Sequence, residues 1–339
     1  MLTNAETRNP LPPLASPPSH SLPDVVQITR AVGDQLRAMV LRVLHQDSFG
    51  VLELCAILDI AQPAMSHHLK KLSDVGLITH RREGNHHFYQ RANARSDPLI
   101  TALYAALDKV DLPEAVAAGI ERIHQQRVAQ SRHFFAHQAD ALKQQTTRVC
   151  AASVYAASVL ELVLSSAGLQ RHHALEVGPG EGTLLAALAP HFERVTGLDN
   201  AVEMLSQARP ATVQFTNVML LEADFIHLSA TPQYDLIVAA MVLHHLPSPA
   251  QFFRQAARLL QPHGLIVLAE LCSHDQDWVR DACGDVWLGF DPDQLDAWAH
   301  EAGLQQAQQQ FLAQRNGFRV QVTAYTRVPA LSSSTKDST

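Results

Sequence analysis

HALEVGPGEGTLLAALAPHFERVTGLDNA, residues 173–201, is the stretch that decides the C-terminal half of the chain. His173 to Val177 is a short apolar run of the kind that forms a buried strand. It passes into Gly178-Pro179-Gly180-Glu181-Gly182, where glycines let the backbone turn sharply and come close to a ligand. Thr183 to Ala189 then has helical composition, and Val195 to Leu198 reads as a second strand ending in Asp199. A carboxylate at a strand end about twenty residues beyond such glycines suits a ribose diol. Dinucleotide-binding enzymes use a similar turn, so the glycines alone leave two classes open.

Further along, Leu221 to Phe225 places an acid, Asp224, beside an aromatic, Phe225, where a third strand would end. Such a pair can accept from an adenine amino group and pack on its ring. Tyr234 to Ala240 is a strand leading into Met241-Val242-Leu243-His244-His245-Leu246. Leu259 to Gly264 leads into the strand Leu265 to Ala269, and Phe318 to Arg327 is a candidate for the last strand.

Taken in order, LEVGPGEG, GLDNA, LEADF, VLHHL and LLQPHG resemble the class I S-adenosylmethionine-dependent methyltransferases, particularly the group containing quinone methyltransferases. The resemblance runs from about 172 to 327. It implies a Rossmann-like sheet of seven strands, the last antiparallel. It also implies that Glu176, Gly178, Gly180 and Gly182 form the loop against the methionine part of S-adenosylmethionine or S-adenosylhomocysteine. By the same resemblance Asp199 holds the ribose hydroxyls with Asn200 beside it, Asp224 and Phe225 frame the adenine, and Met241 and His244 line the pocket. Methyl transfer from a sulfonium needs mainly in-line placement of the nucleophile. A catalytic residue is therefore not demanded, and His244 and His245 are the candidates for a base. Cys272 to Asp285 is acidic and aromatic: either a lid, or a solvated helix with Trp278 and Trp287 tucked into the core.

Upstream, Ile28 to His45 carries Val32, Leu36, Met39, Val40, Val43 and Leu44 at helical spacing. A short helix follows over Val51–Leu58, then Gln62 to Leu72, with Pro63 suited to a first turn. Met65, Leu69 and Leu72 form its docking face, leaving Gln62, Ser66, His67, Lys70 and Lys71 to face outward. Gly76 is a C-cap signal. Leu77 to Arg82 and His86 to Arg91 read as strands joined by a Glu83-Gly84-Asn85 turn. A basic hairpin after two helices is a wing, with Arg81 and Arg82 on it. Polar side chains near the start of a recognition helix reach base edges, and lysines reach phosphates.

SHHLKKLSDVGLITHRREGNHHFYQ, residues 66–90, resembles the ArsR/SmtB winged-helix repressors, the likeness covering about 28 to 95. It implies a homodimer on a palindromic double-stranded DNA operator, with Ser66, His67, Lys70, Lys71, Arg81 and Arg82 as contacts. The cysteine pair of arsenic-sensing members falls here on Gly50-Val51-Leu52. The Asp-x-His of zinc-sensing members meets Val110 after Asp108 and Pro113 after Asp111. No metal site is expected, and the nineteen histidines lack convergent spacing. His68, like His67, is expected to face DNA.

The expected fold class is therefore α/β with an α+β N-terminal domain. The boundaries read as a disordered tail over 1–27, a winged helix-turn-helix over 28–95, and a helical linker and dimerisation region over 96–168. A class I methyltransferase-like domain over 169–328 and a second tail over 329–339 complete the chain. In the linker, Pro113 and Gly119 interrupt the helical pattern, and the helix carrying Arg127, Arg132, His133, Phe134, Phe135 and His137 could approach the adenosyl site. Proline density before Pro23 marks the first tail.

The net charge of -7 hides a segregation: Arg30 to Arg95 holds nine Lys/Arg against six Asp/Glu, plus six His. From Glu176 onward acids outnumber bases about two to one. No apolar run reaches the roughly 18 to 20 residues that span a bilayer, and four scattered cysteines favour the reducing cytoplasm. The whole architecture resembles fused ArsR-type regulators with methyltransferase domains, among them S-adenosylhomocysteine-responsive repressors of methionine-cycle genes. It implies a transcriptional regulator whose operator binding follows the adenosyl ligand. The alternative is an active methyltransferase of a small molecule with an auxiliary DNA-binding domain.

Overall fold

The structure, a computed structural model, describes residues 20–328 apart from Gln46, Gly84, Asn85, Arg95, Ser96 and Ala230. The expected tails over 1–19 and 329–339 and the tip of the wing lie outside the described residues. So do the side chains of Arg82, Arg132, His133, Phe135 and His137.

Helices α1 (Leu22–Val32), α2 (Gln35–Val43), α3 (Val51–Leu58) and α4 (Gln62–Asp74) pack with strands β1 (Phe49–Gly50), β2 (Ile78–Glu83) and β3 (His86–Arg91). The strands form an antiparallel sheet in the order β1-β3-β2. The tail expected to run to residue 27 ends earlier, because Ser21 and Asp24 form a reciprocal cap and Pro23 sits in the first turn of α1. Ile28 and Ala31 then bury its inner face. The single helix expected over 28–45 is two helices: the Gly33 N–H closes α1 on Thr29, and the Asp34 carboxylate caps α2 by accepting from Arg37 N at 3.1 Å. Met65, Leu69 and Leu72 of α4 are buried, each at most 1% exposed, against the core of this domain.

The connecting layer is α5 (Pro98–Asp108), α6 (Glu114–Val149) and α7 (Ala152–Ser165). Pro113 precedes α6, but Gly119 lies inside it and breaks nothing. A Cβ at 119 would stand 3.0 Å from Ile57 Cα and 3.1 Å from the Ile57 carbonyl oxygen, so this glycine lets α6 press directly on the backbone of α3.

The C-terminal domain is built from β4 (His173–Val177), α8 (Thr183–Leu188), β5 (Arg194–Asp199), α9 (Val202–Thr212), β6 (Val218–Glu222), β7 (Tyr234–Ala240) and α10 (Pro249–Leu259). It is completed by β8 (Leu260–Leu271), α11 (Trp278–Cys283), α12 (Pro292–Glu301), β9 (Leu304–Ala313) and β10 (Arg319–Arg327). Its seven strands lie in the order β6-β5-β4-β7-β8-β10-β9. The first five are parallel, and β10 runs antiparallel to both its neighbours. Apolar clusters cover both faces of the sheet. The strand expected from Phe318 is antiparallel but lies inside the sheet; the edge belongs to β9, which the sequence reading did not contain.

Candidate functional site

Strand order reverses between β4 and β7, and α/β sheets open a crevice at the carboxyl ends of strands flanking such a reversal. A cavity of about 250 Å³ occupies that place. Its floor is the turn after β4. Gly178, at φ +68°, donates its N–H to Leu198 O at 2.8 Å. A Cβ there would come within 2.5 Å of Val242 Cγ2, so the turn closes only on glycine. Gly178 and Gly180 line the cavity. Gly182 does not; at φ +77° it lets the start of α8 meet the Ala208 carbonyl oxygen, 2.8 Å from where a Cβ would stand.

Three acids surround the turn. Glu176, 2% exposed, stands on the cavity wall with Oε2 unpartnered among the described residues. Burial raises its carboxyl well above the usual range, offset only in part by the Leu185 N–H. Asp199 ends β5 and accepts from Ala201 N at 2.9 Å. Burial lifts it to about 6, against the pull of the Ala201 and Asn200 N–H groups. Asp224 caps its own turn, accepting from Ile226 N at 3.0 Å, and Phe225 stacks on Phe252 with ring centroids 4.9 Å apart. Asn200, Asp224 and Phe225 all line the cavity. An orphaned buried acceptor, a second raised carboxyl and an aromatic edge around a glycine turn form a donor-seeking set. It fits a ligand with an amine, a diol and a flat heteroaromatic ring.

The opposite wall follows β7. Met241 has φ +58°, a left-handed conformation uncommon outside glycine, held by its N–H on Ala269 O at 2.7 Å. It turns the chain so that His244 and His245 face the cavity. His244, 3% exposed, pairs Nδ1 with Glu270 Oε1 at 2.6 Å and brings Nε2 to 3.9 Å from Asp285 Oδ1. Burial alone would lower its pKa, but the two carboxylates outweigh it and raise the ring to about 9. His245 moves the other way, well below its usual value, through burial and then the neighbouring His244 cation. At neutral pH His244 is thus largely protonated and His245 stays neutral; the same burial and neighbouring charge that keep His245 neutral make it a weak proton acceptor. Donor atoms of His244, His245 and Asp285 lie within 4.8 Å of one another, the set among the described residues that could gather a metal ion.

The sequence reading missed several lining residues. Val128 and Ser131 come from α6, Cys150 and Tyr155 from the α6–α7 junction, and Cys283 and Asp285 from the segment around α11. Burial pushes the Cys150 and Cys283 thiols up to about 12, so neither is a ready nucleophile. Two signals were present in the sequence: the acidic run ending at Asp285, and the helix carrying Arg127, which was expected to approach the site and holds Val128 and Ser131. Trp287 is buried as expected of that segment, whereas Trp278 stays 37% exposed.

On the N-terminal domain, Gln62, Ser66, His67, Lys70 and Lys71 are all exposed along α4. His68 is less so and sits 3.8 Å from Asp34 rather than facing outward with His67. Arg81 departs from its expected role as a DNA contact. Its guanidinium donates to Gly289 O at 2.7 Å and lies over the Trp287 and Phe290 rings at 5.8 and 5.5 Å, docking the wing on the C-terminal domain.

A methyltransferase-domain family model matches residues 175–268, and a helix-turn-helix-domain model matches 32–81. The chain is 30% identical over 126 residues to the ubiquinone biosynthesis O-methyltransferase of Sodalis glossinidius (strain morsitans), covering 36% of this chain and 51% of that protein. It is 32% identical over 127 residues to the enzyme of that name from Yersinia pestis (strain Pestoides F), covering 36% and 52%. The chain thus spans about half the length of the curated relatives it matches. Among solved structures, the N-methyltransferase NodS from Bradyrhizobium japonicum WM9 in complex with S-adenosylhomocysteine aligns at TM-score 0.44 and 20% identity, over 61% of this chain and 99% of that one. Magnesium protoporphyrin IX methyltransferase from Synechocystis PCC 6803 with bound S-adenosylhomocysteine aligns at 0.49 and 15%, over 58% and 98%. The chain carries a helix-turn-helix domain followed by a methyltransferase domain.

Proposed function

We propose that this protein is a DNA-binding regulator whose C-terminal cavity binds S-adenosylmethionine or S-adenosylhomocysteine and thereby alters its affinity for DNA. One observation carries the reading: an amine-, diol- and ring-seeking cavity and an exposed polar recognition helix occur on one chain. Glu176 takes the ligand's amino group, Asp199 with Asn200 the ribose hydroxyls, and Asp224 with Phe225 the adenine. On the N-terminal domain, Gln62, Ser66, His67, Lys70 and Lys71 meet DNA, as a homodimer on a two-fold operator. The resemblance to fused ArsR-type regulators supports methionine-cycle genes as targets. A ligand shifts DNA affinity only by the difference between its affinities for the two conformations.

A second reading, methyl transfer to a small molecule, is favoured by the likeness to ubiquinone biosynthesis O-methyltransferases over 126 and 127 residues. S-adenosylmethionine supplies an electrophilic methyl group when bound; its transfer needs chiefly in-line placement of the acceptor, whose proton leaves to solvent, because the burial and neighbouring charge that keep His245 neutral make it a weak base.

The test is binding to DNA from the protein's own upstream region, at fixed salt, with each adenosyl ligand titrated separately. A several-fold change in affinity is expected with at least one of them. If both bind and neither changes DNA affinity, the regulatory reading is lost and turnover with phenolic acceptors becomes the next assay.

A further inference from the structure

His124, Arg127, Val128 and Ser131 recur at i, i+3, i+4 and i+7, so they share one face of α6. Val128 and Ser131 line the cavity. Arg127, beside them, is 7% exposed and uses all three guanidinium nitrogens. Nε and Nη2 donate to Glu53 Oε1 and Oε2 at 2.9 and 2.6 Å, and Nη2 also reaches Ser48 O at 3.1 Å. Nη1 donates to Pro247 O at 2.7 Å. The Phe49, Phe88 and Trp287 rings enclose it at 5.3, 5.7 and 5.1 Å.

Each anchor leads somewhere. Pro247 lines the cavity, as does Leu246, whose carbonyl accepts from Trp287 Nε1 at 2.8 Å. Glu53 Oε2 also accepts from Gly50 N at 2.7 Å, which caps the start of α3. Helix α3 packs on the recognition helix α4. One turn earlier on the same face, His124 Nε2 meets Asp47 Oδ2 at 2.8 Å.

We propose that Arg127 couples the cavity to the N-terminal domain, joining the cavity wall at Pro247 to the capping carboxylate of α3 at Glu53. This rests on the adenosyl-ligand reading above. The bond to Pro247 and the fork on Glu53 cannot both be held if the 244–247 wall or the 128/131 face shifts. A packed interior answers such a shift by changing arrangement rather than by stretching. With its guanidinium buried, Arg127 is also costly to leave without the half-buried Glu53 carboxylate. Displacement at the wall therefore moves Glu53 and α3, and with α3 the helix that meets DNA. Arg127 is a positioning residue; it does not line the cavity.

Hydrogen–deuterium exchange on the full chain, with and without saturating S-adenosylhomocysteine, tests this alongside calorimetry. In the wild type, ligand is expected to change protection both in the cavity loops and over residues 47–54. Arg127→Lys loses the fork. Glu53→Gln keeps a capping side chain but loses the charge. Both variants are expected to bind ligand and show the cavity response, while the response over 47–54 disappears. The ligand effect on DNA affinity, of the order of 5- to 150-fold for coupling of this kind, falls toward about one. If both variants keep the 47–54 response, or if the wild type binds ligand without one, Arg127 is not the coupler. If calorimetry shows no ligand binding to the wild type, the adenosyl reading fails and the coupling fails with it.

Discussion

Burial lifts Asp199 to about 6 while the Ala201 and Asn200 N–H groups pull it down. A ligand hydroxyl that donates to this carboxylate favours its ionised form. S-adenosylhomocysteine should therefore bind more weakly as pH falls below 6, by up to about tenfold per unit. Asp199→Asn should flatten that dependence in calorimetry, and Asp199→Ala should cost about 1.5–3 kcal/mol of binding at pH 7.5, the range for hydrogen bonds to charged groups. His244 gives a stability test of known sign. Its folded value, about 9, lies above the ordinary 6.5, so its contribution is complete below pH 6.5 and lost as pH rises through 9. The unfolding free energy from urea titrations should fall across that window by at most about 1.4 kcal/mol per pH unit; an equal fall in His244→Gln would discount the ring. Glu176 and Asp199 were legible because each sits in a short motif of its own, LEVGPGEG and GLDNA. Glu270 was not, being 26 residues from the histidine it charges, and strand composition says nothing about which buried acid faces which ring.

At the level of elements, helices and strands with a strong apolar period were readable, and those formed by capping or at an edge were not. Proline density hid α1, whose start depends on Ser21 and Asp24 meeting across one turn. β9, a glutamine-rich strand exposed over most of its length, shows little of the alternation that marks a half-buried strand. Gly119 reads as a break in isolation and is a contact surface in place. Gly119→Val should force α6 off Ile57 and cost about 1–3 kcal/mol in thermal unfolding, the usual range for overpacking. The recognition helix and the wing offer a contrast between two cations, Lys70 on α4 and Arg81 on β2. Removing Lys70 should weaken DNA binding and lower the salt slope by about one. Arg81→Ala should leave the slope unchanged, because that guanidinium is spent on Gly289; a drop equal to that of Lys70→Ala would return Arg81 to the DNA surface.

Across the whole molecule, the order of the two domains was readable from motifs, but their junction was not, since the Arg81 and Arg127 contacts link residues more than a hundred positions apart in sequence. Helix α6 belongs to both domains: it presses on α3 at Gly119, faces the cavity at Val128 and Ser131, and covers Gly284 with Phe134. A continuous helix of 36 residues is about 54 Å long and turns about 100° per residue. A single inserted codon between positions 119 and 134 would rotate every later contact away from its partner. Reading-frame-preserving insertions and deletions are therefore barred from that interval. They are tolerable in the turns on either side, such as residues 109–113, where no helical phase is carried. In lineages descended from this gene, changes of length should gather in those turns and leave the helix untouched. Exchange of one domain for another would have to carry α6 with it, so the two halves are inherited as one heritable unit.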